Sequence, residues 1–188
     1  MSAQPERHLF TVDEYERMGV VGLFGEDDRV ELIEGEIVEM TPIGSRHAAC
    51  VSRLNHLLSA AVRDRAIVSV QNPVRLGIRS EPQPDVALLV PRADFYAGGH
   101  PRPADILLVV EVAETSATWD RDVKARLHGA AGVGEAWVID LAGGCVHVFT
   151  GPGPGGYAEV RQAVAGDSLT PSGLGGVAVA VTDILGPA

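Results

Sequence analysis

The feature that most constrains this chain is one acid in a stretch that is otherwise apolar. Ile106 to Val112 reads ILLVVEV, a β-branched-rich run with the pattern of a central strand covered on both faces. Glu111 is its anomaly. An ionised carboxylate taken out of water loses several kcal/mol of solvation even after relaxation, so it is normally paired, protonated or bound to a cation; a cation is the expectation adopted here. The sequence continues with a polar loop, Ala113 to Thr118, then a helix from about Trp119 to Ala131 stopped by Gly132, then a strand from Glu135 to Leu141. That helix carries Lys124, the one lysine beside fourteen arginines. A compact ammonium can do what a planar guanidinium cannot, so its survival in an arginine-biased chain marks it as a candidate; a chance lysine on a solvated helix is the plain alternative.

At 188 residues and 46% hydrophobic content the chain has material for one well-buried domain, 1–188, and no segment reads as an interdomain linker. No run approaches the ~18 apolar residues that span a bilayer, and the start, MSAQPERHLFTVDEYERM, lacks a signal-peptide pattern. The expectation is a cytoplasmic protein with no membrane partner. Cys50 and Cys145 stand isolated and read as small buried hydrophobes without a role. The formal charge of -10 argues against a general nucleic-acid coat, but its distribution softens that. Residues 1–43 carry 3 basic and 11 acidic groups, residues 44–79 carry 6 and 1, and residues 80–188 carry 6 and 13. One basic block stands between two acidic ones, either a phosphate-facing patch or an ordinary solvated helix face.

Upstream, Thr11-Val-Asp-Glu14 fits a capping box opening a short helix to about Met18, with Gly19 able to close it. Arg29 to Met40 alternates apolar and charged residues about Glu34-Gly35, the pattern of a β-hairpin with one solvated face; Glu31, Glu34, Glu36 and Glu39 then read mostly as solvent charges. From Arg46 to Arg63 the positions Cys50, Val51, Leu54, Leu57, Leu58, Ala61 and Val62 repeat at helical spacing, with Ser45 available as N-cap. His47 falls inside that apolar arc, as a satisfied core histidine or a site residue, while Arg53, His56 and Arg63 take the other side. Ile67 to Leu76 reads as a strand with Pro73 hinting at a free edge, and Asp85 to Val90 as a second. Cys145 to Thr150 and Tyr157 to Val160 flank GPGPGG as a final hairpin.

Asp85 starts one buried strand and Glu111 sits near the end of the next, so both can lie at one rim of a sheet and share a divalent ion. Carboxylate donors favour a hard ion, Mg²⁺ or Mn²⁺, over zinc. Lys124, about one turn into its helix, is placed to reach back over the strand end.

Five blocks, ELIEGEIVEM, PIGSRHAA, VQNPVRL, PQPDVALL and EVAETSATWDRDVKARLHGAAGVGEAWVIDL, resemble in order the motifs of the Uma-type restriction endonuclease family of the PD-(D/E)XK nuclease superfamily. The resemblance runs from about Thr11 to the C-terminus. It implies an α/β (α+β) restriction endonuclease-like core, about residues 29–165, with a mixed central β-sheet flanked by helices and a β-hairpin at each end. It implies that Asp85 is the metal-binding Asp of the Pro-Asp motif and Glu111 the acid of the third strand. The superfamily lysine would follow that acid by two residues, where this chain has Ala113; in the Uma-type pattern it moves to the next helix, here Lys124. Glu31, His47 and Asp120 match further motif positions, whereas His128 stands where the family usually has tyrosine and Gln83 where an acid often precedes Pro-Asp.

The implied activity is Mg²⁺-dependent hydrolysis of DNA, with Asp85, Glu111 and the main-chain carbonyl of Val112 as metal ligands and Lys124 and Glu31 as further catalytic groups. Phosphate backbone would be received by His47, Arg46, Arg53 and Arg75 at the Arg46 helix and along the basic block. A homodimer is implied by resemblance alone. The main rival is a nucleic-acid- or partner-binding module with a vestigial site, which the net acidity favours; a metal-dependent hydrolase of another phosphate ester is a third reading.

Overall fold

In the computed structural model, which describes residues 7–25, 27–114 and 119–186, the Glu111 run forms β5 (Ile106–Ala113) in the interior of a six-stranded sheet. Its neighbours are β4 (Val86–Leu89), antiparallel, and β6 (Glu135–Asp140), parallel. A parallel pair cannot be closed by a tight turn, and the crossover contains α3, a π-helical turn Asp120–Lys124 running into the α-helical Ala125–Ala131. The other neighbours are antiparallel: β3 (Ile67–Val70) edges the sheet beyond β4, and β7 (Cys145–Gly153) and β8 (Gly156–Val164) extend it beyond β6.

The alternation of side chains along a strand divides the interior into two cores. Leu108, Val110 and Val112 of β5 face α2 (Ser45–Val62), whose Cys50, Val51, Leu54, Leu58 and Val62 are the apolar arc read from the sequence. Val109 and Ala113 face α3 and pack with Ala125 and Leu127. Glu111 shares the second face. The mixed α+β architecture, with its terminal hairpins, is therefore the expected one. A separate hairpin, β1 (Val30–Ile33) and β2 (Glu36–Glu39), turns through Glu34 and Gly35, both at positive φ (50° and 88°), the geometry that glycine permits and that suits a two-residue hairpin loop. Arg126 of α3 reaches Glu34 across 2.9 Å.

Several boundaries differ from expectation. α1 (Val12–Val20) opens on the full Thr11–Glu14 capping box but runs through Gly19, which does not stop it. α2 takes Gly44, not Ser45, as N-cap, and Gly44 makes no side-chain cap bond. β3 ends at Val70, and Gln71 turns the chain at φ 51°. β1 is not half-solvated, because Glu31, Leu32 and Ile33 are all buried. The C-terminal hairpin is longer than expected, its strands running into the glycine-rich turn. The tail adds a small ladder, β9 (Ser168–Leu169) with β10 (Val179–Ala180), and α4 (Val181–Leu185), which packs on α2. Of the expected loop Ala113 to Thr118, residues 115–118 lie outside the described residues. No helix among the described residues is long and apolar enough to cross a membrane.

Candidate active site

Strand register brings the two acids together. Val86 lies opposite Val110, so the register continued by one residue sets Asp85 against Glu111 at one rim of the sheet. Asp85 Oδ2 accepts the Val112 backbone N–H at 2.8 Å and lies 3.1 Å from His47 Nε2; its Oδ1 accepts from Gln71 Nε2 at 3.2 Å. Burial pushes the Asp85 carboxyl up, but the bonds and charge from His47, with Val112 and Gln71, outweigh it and hold the group below its ordinary value. The same bond to Asp85 raises the His47 imidazole against the opposing effect of its partial burial. His47 thus points inward, as its helical phase requires, and lines the cleft beside Asp85.

Glu111 is supported from α3. Lys124 and His128 are four apart and so share a helix face. Lys124 Nζ stands 3.5 Å from Glu111 Oε2, and His128 Nε2 stands 3.3 Å from Glu111 Oε1. Lys124 also reaches Glu31 Oε1 at 3.2 Å, while Glu31 Oε2 accepts the Gln83 N–H at 3.1 Å. Burial raises Glu111 well above the ordinary carboxylate range; Lys124 opposes this, and the charges of Asp85, Asp120 and Glu31 add to it. Burial alone would lower Lys124, but Glu111 and Glu31 outweigh it and keep the ammonium protonated. His128, fully enclosed beside Lys124, is pushed down to about 3, so its imidazole is neutral.

The chemistry of this donor set fits a hard divalent cation. Glu31, Asp85, Glu111 and Asp120 are all buried and line one cleft with Lys124, the one buried ammonium among them. A cation at the rim would compensate the remaining charge, and two carboxylates suit an ion that retains several waters, as Mg²⁺ does. Through its two oxygens Glu31 meets Lys124 and the Gln83 N–H. It is Lys124's partner, and the reading of it as a solvent charge is corrected by its 3% exposure. The N-terminal end of α2 also lines the cleft through Gly44 and His47. A Cβ on Gly44 would stand 2.7 Å from Glu114 Oε2, so the Glu114 carboxylate lies close against this helix end.

The basic block does not gather here. Arg46 spans from the Leu141 carbonyl (3.2 Å) to Glu114 (3.7 Å) at the edge of the site. Arg53 donates to the Ile184 and Leu185 carbonyls at 3.1 and 2.7 Å, closing the C-terminus of α4. Arg75 pairs with Asp13 at 2.6 Å and Glu16 at 3.8 Å, fastening α1. Neither residue lines the cleft, so the structure does not bring these two phosphate-binding candidates together with Asp85 and Glu111. Conversely, sequence reasoning assigned no role to Gln71, although its VQNPVRL block was singled out. Its left-handed backbone, sparsely populated for a non-glycine residue, ends β3 where its amide meets Asp85 and its N–H donates to the Asp85 carbonyl at 3.0 Å.

A mixed sheet with opposed acids on two central strands and a lysine entering from the crossover helix defines a restriction endonuclease-like fold of nuclease type. The chain belongs to the Uma2 family, described as "Putative restriction endonuclease", which matches residues 12–182. Among solved structures it resembles a putative nuclease belonging to DUF820 from Anabaena variabilis, with a TM-score of 0.73 at 18% identity, over 94% of this chain and 97% of that one. At that identity the likeness speaks to fold. No curated protein matches the chain.

Proposed function

We propose that this protein is a Mg²⁺- or Mn²⁺-dependent endonuclease that hydrolyses phosphodiester bonds of DNA. The observation that carries the reading is the convergence of Asp85 and Glu111 on one rim with a buried ammonium, Lys124, against the same carboxylate. Asp85, Glu111 and the Val112 carbonyl would hold a divalent cation, which would lower the pKa of a bound water and polarise a phosphoryl oxygen. The protein's own groups do the rest. Lys124 is held charged by Glu111 and Glu31, and offsets negative charge growing on the phosphorane or orients the attacking water. His128 stays neutral and fixes the Glu111 carboxyl. His47, whose pKa is raised by its bond to Asp85, and the α2 N-terminus face an incoming phosphate. Arg46 at the rim can exchange Glu114 for backbone phosphate.

Plasmid cleavage in Mg²⁺ or Mn²⁺, with wild type beside Asp85→Ala, tests the reading. Nicking confined to wild type is expected. Equal nicking by both proteins would trace the activity to a contaminant and sink the proposal. Phosphate-ester hydrolysis without nicking would replace it with the phosphatase reading.

A further inference from the structure

A second constellation lies at the turn joining β6 to β7, built from different donors. The strands are antiparallel, with Asp140 opposite Cys145 and Val138 opposite His147. Cys145 and His147 are two apart on one strand and so share a face, and Asp140 is the cross-strand neighbour of Cys145 on that same face. A carboxylate oxygen, the thiol sulfur and an imidazole nitrogen from these residues all lie within 4.8 Å of one another. Cys145 Sγ to His147 Nε2 is 3.6 Å. Bonds of about 2.3 Å to sulfur and about 2.0–2.1 Å to nitrogen at a tetrahedral angle set that edge at about 3.6 Å, so two of three ligands already stand at coordination spacing.

The turn supports the third. The Gly143 N–H donates to Asp140 Oδ1 at 2.7 Å, and a Cβ at Gly143 would stand 2.6 Å from Oδ2. Glycine thus lets the Asp140 carboxylate lie close over the turn. Asp140 has no ion-pair partner among the described residues, so no ammonium or guanidinium competes for it. Cys145 is buried, while Asp140 and His147 are half-buried and open a path from solvent. The bare S–H···N contact is the simpler account of the sulfur and nitrogen, but it does not use the carboxylate.

We propose that Asp140, Cys145 and His147 form a binding site for a transition-metal ion of the zinc class. The thiolate–imidazole–carboxylate set selects a borderline-soft ion, in contrast to the hard-oxygen set of Asp85 and Glu111. Binding forms an S–metal bond and releases the thiol proton to solvent; water fills the fourth position. The ion would clasp a turn already tied to the active-site rim, since the Leu141 N–H donates to the Ala113 carbonyl at 2.9 Å and the Leu141 carbonyl accepts from Arg46. The inference is independent of nuclease activity.

Cobalt(II) titration of the metal-free full chain is the test. In wild type a thiolate-to-cobalt charge-transfer band in the near ultraviolet, with d–d bands of tetrahedral intensity, should saturate at one equivalent of thiolate-bound cobalt. Cys145→Ser and His147→Gln should lose that band, whereas Asp85→Ala should retain it. Zinc should displace the cobalt and raise the melting temperature of wild type but not of His147→Gln, which keeps the test alive should Cys145→Ser fold poorly. Cobalt bound without the charge-transfer band overturns the proposal, and so does a band that survives in both variants and therefore arises at Cys50.

Discussion

Removing the ammonium from the acid cluster gives the sharpest test of how this site is held together. Lys124 is 6% exposed and lies 3.2 Å from Glu31 and 3.5 Å from Glu111, both 3% exposed. At an effective dielectric constant of about 20 each contact is worth roughly 5 kcal/mol before desolvation, and stripping water from Lys124 offsets much of that. Deleting one partner of such a buried set typically costs about 3–5 kcal/mol, because the remaining charges are stranded. Lys124→Met, of similar length and apolar, should therefore lose about 3–5 kcal/mol at pH 7 without metal, equivalent to about 6–20 °C in Tm for a chain of this size. The sign of the pH dependence follows from Glu111, whose folded pKa is already raised by burial and rises further without the lysine. A group raised in the folded state contributes stability that is complete below its unfolded pKa, about 4.3, and is lost as pH climbs through the folded value. The variant's deficit should be small near pH 4 and grow toward pH 7.5. Urea unfolding in EDTA at both pH values measures it. A deficit under about 1 kcal/mol at pH 7, or one equal at both pH values, would show that Lys124 does not compensate the buried acids. Lys124→Arg keeps the charge, so it should retain most of the stability while abolishing cleavage; full cleavage would remove the lysine from the mechanism.

Mn²⁺ at about 100 times its Kd should stabilise wild type by about 2.7 kcal/mol and leave Glu111→Ala unmoved in a thermal melt; an equal shift in both would place the ion elsewhere. Glu81 is 4% exposed, its Oε2 has no hydrogen-bond partner among the described residues, and burial together with the Glu16 carboxylate raises it to about 7. Its contribution to stability is complete below about pH 4.5 and lost as pH rises through about 7, so Glu81→Gln should gain about 1–3 kcal/mol over wild type at pH 8 and nothing at pH 4; a flat difference in denaturant midpoints refutes it. Arg53→Ala removes two bonds to the end of α4 and should cost about 1–3 kcal/mol with DNA affinity unchanged in a salt-matched gel-shift titration; a marked loss of affinity would return Arg53 to the phosphate-binding surface.

The parts of this molecule legible in its sequence are those where a local period meets a local breaker. β5 shows as an apolar run interrupted by Glu111 alone because both its faces are covered, and α2 because one face is; Gly132 at φ 94° ends α3 where its residue type says it should. What escaped is tertiary. Glu31 alternates like a solvent charge, yet Lys124 arrives from residues far along the chain to cover it. Arg53 and Arg75 count as positive charge in any sum along the chain, but what they neutralise is set by which carbonyls and carboxylates fold beside them.

Glu135 shows why burial of an acid cannot by itself mark a site. It stands in an apolar strand much as Glu111 does and is 2% exposed. Its Oε1 accepts the Trp137 indole N–H at 2.6 Å and its Oε2 the Ser172 N–H at 2.6 Å. Neutral donors on both oxygens satisfy that carboxylate, and nothing there calls for a cation. Glu111 differs in its company. Three further buried acids share its cleft, Lys124 is spread between Glu31 and Glu111, and the bond to neutral His128 leaves the charge in place. Excess buried negative charge, not burial, separates a structural acid from a candidate metal ligand, and it becomes visible only once β4, β5, α3 and the β1–β2 hairpin have delivered their residues to the same rim.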